Sequence, residues 1–172
     1  MLLQINMQDD LITRLKKLQI VHREEVELSH AGPSNYYIDI KKAYGDAEAF
    51  GLMVKRLGEK IPNRTSCIAA SGHGGLPLAG ALSILYARNL SIVRTELKEH
   101  GLPKLIDGYI PSEGDKVAIV DDVFTTGRTL QKIIGLITPT GAEIVGCYVF
   151  VKRGEGQLSV PVESLLRVED LL

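Results

Sequence analysis

The sequence predicts an α/β protein with a central, mostly parallel sheet flanked by helices, and three observations predict it. Short, largely apolar runs at 66–70, 117–120 and 144–151 read as strands covered on both faces. Helical periodicity fills the intervals between such runs, the pattern of a parallel sheet with crossover helices. The 172 residues are 45% hydrophobic and 24% charged, which suits one globular domain of ordinary size.

The elements follow in order. Leu11, Ile12, Leu15 and Leu18 share one helical face, so residues 9–19 read as an amphipathic helix. Val26 and Leu28 alternate with glutamates. After the turn residues Ala31-Gly32-Pro33-Ser34-Asn35, alternation resumes at Tyr36, Ile38 and Ile40, which suggests a hairpin. Phe50, Met53, Val54, Leu57 and Ile61 form a second helical face, ended by Pro62 and Asn63. Residues 66–70 read as a strand, 76–88 as a helix, 90–94 as a strand and 117–120 as a strand. Residues 129–138 read as a helix with Leu130, Ile133, Ile134 and Ile137 inward, and 144–151 as a long buried strand. Leu165, Leu166 and Leu171 suggest a short docking helix in 160–172.

Formal net charge is −1, so no global field drives the chain onto nucleic acid or an acidic membrane. Any anionic ligand must be held by local geometry. The two cysteines, Cys67 and Cys147, each fall inside a strand and lack metal-ligand spacing. They read as buried thiols of a protein in a reducing cytoplasm. The start MLLQINMQDD does not read as a signal peptide, and the longest apolar stretch, 76–87, is shorter than the roughly twenty residues of a membrane helix.

In sheets of this kind ligands sit beyond the carboxyl ends of the strands. That rule selects 71–75, 94–101, 121–129 and 152–155 for inspection. The strongest is VAIVDDVFTTGRTL, 117–130. An apolar strand ends in Asp121 and Asp122, whose carboxylates can accept hydrogen bonds from sugar hydroxyls. Thr125, Thr126, Gly127, Arg128 and Thr129 then offer hydroxyls and backbone N–H groups at a helix amino terminus, which holds a phosphate without needing a lysine. A strand, an Asx turn and a capped helix with no ligand would use similar residues.

The segment resembles the signature of the type I phosphoribosyltransferases. In that family the acidic pair holds ribose hydroxyls and the loop holds the 5-phosphate. Phe124 departs from the commoner aliphatic residue. The resemblance spans 25–156 and implies a single domain over 1–172, with a small hood-like amino-terminal part (1–45), a core (46–158) and a tail (159–172).

Three further stretches resemble the orotate branch of that family. In SIVRTELKEHG, 91–101, Arg94, Lys98 and His100 match a mobile loop that closes over departing pyrophosphate. An exposed charged loop is the plain alternative. ASGHGGLPLAGAL, 70–82, resembles a pyrophosphate loop in which Gly72, Gly74 and Gly75 free backbone N–H groups to face an anion; His73 is either a further ligand or a solvated residue. VFVKRGEG, 149–156, places Arg153 where the branch directs a guanidinium at the base, and a planar fork suits the edge of orotate. Tyr36 and Tyr37 stand where aromatics flank the base, or serve as ordinary strand residues.

The match has gaps. A lysine is usual near Ser29 and His30, after the loop arginine where Thr95 stands, and in many members at Gly74. Each lost contact costs ~1.5–3 kcal/mol if nothing replaces it, so either glycine-loop backbone groups, His30 and His73 compensate or the acceptor or activity differs.

The resemblance implies transfer of the phosphoribosyl group from phosphoribosyl pyrophosphate (PRPP) to orotate with Mg²⁺. It implies a homodimer, and it implies catalytic roles for Lys98, His100, Asp121 and Asp122. Mg²⁺ would be bound mainly through substrate. A phosphoribosyltransferase for a purine base and a non-catalytic ligand sensor are the rival expectations. Neutral charge and single-domain length argue against a nucleic-acid-binding regulator.

Overall fold

The computed structural model describes residues 7–22, 26–28, 32–94 and 105–172. Helix α1 spans Met7–Lys17, followed by strands β1 (Val21–His22), β2 (Val26–Leu28), β3 (Gly32–Ser34) and β4 (Tyr37–Ile38). A 3-10 turn, Ile40–Gly45, leads into α2 (Ala47–Lys60). The Asp46 carboxylate caps α2 by accepting from the Ala49 N–H at 2.8 Å, and Arg14 of α1 pairs with the same carboxylate at 3.1 Å. Then follow β5 (Cys67–Ala70), α3 (Gly72–Leu85), β6 (Asn89–Val93), β7 (Ile106–Gly108), β8 (Lys116–Phe124), α4 (Arg128–Ile137), β9 (Glu143–Lys152) and β10 (Val162–Arg167).

Six strands make one sheet in the order β10-β9-β8-β5-β6-β7, all parallel except β7 against β6. The period of two sorts most of its central residues. Ile68, Ala70, Ala118, Val120, Tyr148 and Phe150 pack in the cluster that holds Met53, Leu57, Leu78 and Leu82 of α2 and α3. Cys67, Ala69, Val117, Ile119, Cys147 and Val149 pack with Leu130, Ile133, Ile134 and Ile137 of α4. The parallel, helix-covered sheet expected from the sequence is therefore present. Cys67 and Cys147 are buried free thiols, and burial, with the Asp121 charge behind it, pushes Cys147 up to about 12.

Four expectations are corrected. First, α3 begins at Gly72, not at 76. Three glycines in four positions look like a loop by propensity, but close packing overrides propensity here. Second, β8 runs on to Phe124, so the acidic pair lies in the strand, with Asp121 opposite Val149 of β9. Third, the hairpin joins different partners. β2 pairs with β3, Leu28 opposite Gly32, whereas β4 returns to β1, Ile38 opposite Val21. The turn-rich residues 32–34 thus serve as a strand, because so short a pair needs few donors and Pro33 is tolerated at its edge.

Fourth, most of the carboxy-terminal stretch forms strand β10, and helix is confined to a single 3-10 turn, Val168–Asp170. The stretch pairs in parallel with the free edge of β9 and sets Leu166 and Leu171 into the α2 side of the core, with Leu165 partly buried beside them. Edge pairing satisfies its backbone, which a leucine pattern alone does not reveal. Leu166 is 1% exposed. Leu166→Ala is expected to cost ~2–5 kcal/mol. Urea unfolding checks it: the midpoint should fall with little change in slope, and an unmoved midpoint would show that β10 does not belong to the core.

Candidate functional site

The chain leaves β5 through α3 toward β6 on one side, and leaves β8 through α4 toward β9 on the other. β5 and β8 are neighbours, so the direction of winding reverses between them, and their carboxyl ends open the crevice where ligands bind in such sheets. Both helix amino termini, at Gly72 and Arg128, begin within a few residues of those strand ends.

Asp121 and Asp122 stand at this point. Asp121 is 9% exposed, and its Oδ1 accepts from the Asp122 N–H at 2.9 Å. Asp122 Oδ1 accepts from the Val123 N–H at 2.8 Å. Burial first, and the neighbouring Asp122 charge second, push the Asp121 carboxyl well above the ordinary carboxylate range.

The glycine turn of α3 presses on this pair. A Cβ at Gly74 would stand 2.3 Å from Asp122 Oδ1, and one at Gly75 would stand 2.9 Å from the Val120 carbonyl oxygen. Gly72 has φ +69°, a left-handed conformation suited to glycine. Glycine thus suits position 72 by its backbone conformation and positions 74 and 75 by close approach. His73 is exposed at the same turn.

Behind the acids, Gly127 takes φ +77° and ψ 7° and stands at the N-cap of α4, which has no side-chain cap. Gly127 is buried, Thr125 is half-buried, and Thr126, Arg128 and Thr129 are exposed. The turn faces outward with hydroxyls available and a helix amino terminus beneath, an arrangement that can hold a phosphate.

The segment after β9 lies on this turn. The Arg153 N–H donates to the Phe124 carbonyl at 2.9 Å. A Cβ at Gly154 would stand 2.0 Å from the Thr125 carbonyl oxygen, and one at Gly156 would stand 2.7 Å from that of Thr126. The Arg153 guanidinium sits 4.3 Å above the Tyr36 ring centroid, and its Nη2 donates to the Tyr36 carbonyl at 3.2 Å. A planar cation stacked on a phenol thus borders the same crevice.

The structure does not gather every residue singled out. The Tyr37 ring packs near His22, 6.4 Å between centroids, on the β1–β4 pair and not beside Arg153. The Arg94 guanidinium is paired with Asp107. The Arg94 backbone N–H donates to the Leu105 carbonyl at 2.8 Å, so Arg94 and Leu105, the described residues on either side of segment 95–104, are adjacent. Thr95, Lys98 and His100 lie within that segment, and Ser29 and His30 within another, all outside the described residues.

Two residues escaped the sequence reading. Lys41, in the 3-10 turn, places Nζ 3.9 Å from Asp122 Oδ2. Tyr44, from the same turn, donates to the Gly74 carbonyl at 2.7 Å. Burial, then the charges of Asp122 and Asp121, hold the Tyr44 phenol protonated far above its usual range. The signal was present as Lys41-Lys42-Ala43-Tyr44 directly after an alternating run, but nothing in that pattern points to residues so far along the chain.

An acidic pair at the end of β8, an outward turn directly behind it and a glycine turn packed against the pair meet at the carboxyl ends of β5 and β8. The chain belongs to the phosphoribosyl transferase domain family, whose model matches residues 43–163. Within that family it falls in the orotate phosphoribosyltransferase branch. It is 40% identical to the orotate phosphoribosyltransferase of Pyrococcus abyssi over 132 residues, covering 75% of this chain and 72% of the relative. It is 38% identical to that of Methanocaldococcus jannaschii over 146 residues, covering 85% and 82%. The crystal structure of the Aeropyrum pernix orotate phosphoribosyltransferase superposes with a TM-score of 0.83 at 31% identity, covering 94% of this chain and 96% of that one. The chain is accordingly a phosphoribosyltransferase, a pentosyl-transferring enzyme.

Proposed function

We propose that the protein transfers the phosphoribosyl group of PRPP to orotate, giving orotidine 5′-phosphate and pyrophosphate. The C1–oxygen bond to pyrophosphate breaks, a bond from C1 to the ring nitrogen forms as that nitrogen gives up its proton to solvent, and the pyrophosphate leaves with the C1–oxygen bonding pair. The observation that carries this reading is the Asp121–Asp122 pair directly before the open turn 125–129, with Arg153 held against that turn.

Each group has a task in this reading. Asp121 and Asp122 accept from the ribose hydroxyls and place C1 over the crevice. Thr125, Thr126, Gly127, Arg128 and Thr129 hold the 5-phosphate. Gly72, His73, Gly74 and Gly75 face the pyrophosphate. Arg153, stacked on Tyr36, meets the carbonyl and carboxylate edge of the base. Arg94 anchors segment 95–104, from which Lys98 and His100 cover the departing pyrophosphate. The chemistry needs positioning and charge stabilisation more than a nucleophile.

Among the described residues no cluster of three or more His, Cys, Asp or Glu side chains could hold a metal ion. The residues present fit a divalent ion that arrives on the substrate and uses Asp121 and Asp122 as its nearby protein carboxylates. Mg²⁺ bound in that way would neutralise charge on the pyrophosphate and ribose oxygens. A homodimer, in which segment 95–104 of one copy reaches the site of the other, and a cytoplasmic location belong to the same proposal. Among the described residues no helix is long and apolar enough to cross a membrane.

A base panel tests the reading. With PRPP and Mg²⁺, orotate absorbance should fall while adenine, guanine and hypoxanthine remain. Consumption of a purine with orotate untouched would move the acceptor assignment to that base.

A further inference from the structure

The glycine turn that would face pyrophosphate carries no cationic side chain, and the geometry explains why. A Cβ at position 74 would collide with the Asp122 carboxylate, its carbon and both oxygens lying within 2.4 Å. No side chain can be built there without displacing the acid. A site that combines two carboxylates with a polyanionic donor nevertheless needs positive charge beside the acids.

We infer that Lys41 is a donor-binding residue: its ammonium, beside Asp122 and the glycine turn, contacts the pyrophosphate end of PRPP. Four observations place it there. Its Nζ lies 3.9 Å from Asp122 Oδ2, and among the described residues it is the cation paired with either member of the acidic pair. That separation is loose for an ion pair, and the side chain is half-exposed, so the ammonium keeps donors for a ligand. The turn that carries it is fixed to α3 through the Tyr44–Gly74 hydrogen bond at 2.7 Å, and Ile40 and Ala43 of that turn are fully buried. Lys41 is thus mounted on a rigid platform that touches the glycine turn itself. Lys42, the next residue, points elsewhere, its Nζ donating to the Gln19 carbonyl at 3.2 Å and lying 3.0 Å from His22 Nε2.

In the free protein Lys41 offsets part of the charge on Asp122. When PRPP binds, the ribose hydroxyls engage the acids and the ammonium is released toward the pyrophosphate oxygens. A point charge on a flexible stem suits this exchange of partners.

The inference rests on the proposed function for its ligand, and the tests separate the two. Titrating Mg²⁺–pyrophosphate into the protein by calorimetry needs no acceptor base. Lys41→Met should weaken that binding roughly ten- to a hundredfold, as expected for a lost hydrogen bond between charged groups. Lys41→Arg should recover most of it, and Lys42→Ala should leave it unchanged. In steady state Lys41→Met should raise KM for PRPP by a similar factor, with KM for the acceptor base little changed. A thermal melt matching the wild type shows that the variant is folded. Pyrophosphate affinity equal to wild type in folded Lys41→Met would overturn the role of Lys41, whatever base the enzyme uses. Failure of the wild type to consume orotate would overturn the acceptor assignment and leave the calorimetric test of Lys41 intact.

Discussion

Asp122→Asn is expected to lower kcat/KM for PRPP by roughly 100-fold, about 3 kcal/mol for hydrogen bonds to a charged group. Asp122 uses both of its oxygens. Oδ1 accepts from the Val123 N–H at 2.8 Å, and Oδ2 faces Lys41 at 3.9 Å. An amide keeps one acceptor and turns a donor toward either the N–H or the ammonium, so one contact becomes repulsive however it is oriented. The substitution also changes its neighbour. Asp121 is held above the ordinary carboxylate range by burial first and by the Asp122 charge second. Removing that charge lowers the proton affinity of Asp121.

A carboxyl whose folded pKa is raised prefers the protonated folded state, so its contribution to stability is fully present at low pH, below the ordinary carboxylate value. That contribution is lost as pH rises through the folded pKa. With the ribose held by the ionised pair, as proposed, PRPP affinity should rise over the same window in the wild type. In Asp122→Asn the remaining dependence should move to lower pH. Steady-state kinetics across pH check both parts. A variant with wild-type kcat/KM, or with an acid limb displaced upward, would contradict the role given to the pair.

The second large effect is expected from Gly154→Ala. The added Cβ would meet the Thr125 carbonyl oxygen at 2.0 Å and the Thr125 carbonyl carbon at 2.9 Å. Both are backbone atoms, so the clash cannot be relieved by turning a side chain. Either the 125–129 turn moves or the segment after β9 lifts away, and the Arg153 N–H bond to Phe124 at 2.9 Å goes with it. Overpacking of this kind costs ~1–3 kcal/mol in stability. Displacement of the turn by an ångström costs activity far more, on the order of 100-fold. Gly135→Ala supplies the comparison. It lies on the exposed side of α4 with nothing within 4 Å of its Cβ, so it should raise stability by ~0.5–1 kcal/mol and leave kinetics alone. Equal behaviour of the two variants would show that the Gly154 contact is not part of the site.

The elements that surround the site were legible where one physical pattern dominated. β5, β8 and β9 are covered on both faces and read as apolar runs. α4 reads from Leu130, Ile133, Ile134 and Ile137 because its buried stripe has the helical period. The acidic pair and the turn behind it are contiguous, so 121–129 revealed itself as a unit.

What was not legible depends on contacts between distant segments. Gly72, Gly74 and Gly75 look like a loop until Asp122 and the Val120 carbonyl are seen pressing on them, which permits a helix to start there. β10 looks like a leucine-bearing helix until the open edge of β9 is available to it. Lys41 and Tyr44 look like an ordinary polar turn until α3 and β8 are brought against them. Tyr36 and Tyr37 differ by one position and so point to opposite faces, toward Arg153 and toward His22. Sequence alone did not say which faced which.

In the proposed reaction PRPP is held by the acids at the end of β8 and the turn that opens α4. Backbone amide NMR during titration with Mg²⁺–PRPP tests it most directly. The amides of Thr125 through Thr129, with those of Asp121 and Asp122, should shift most and saturate together. Saturable shifts centred on another surface, with 121–129 unmoved, would contradict it.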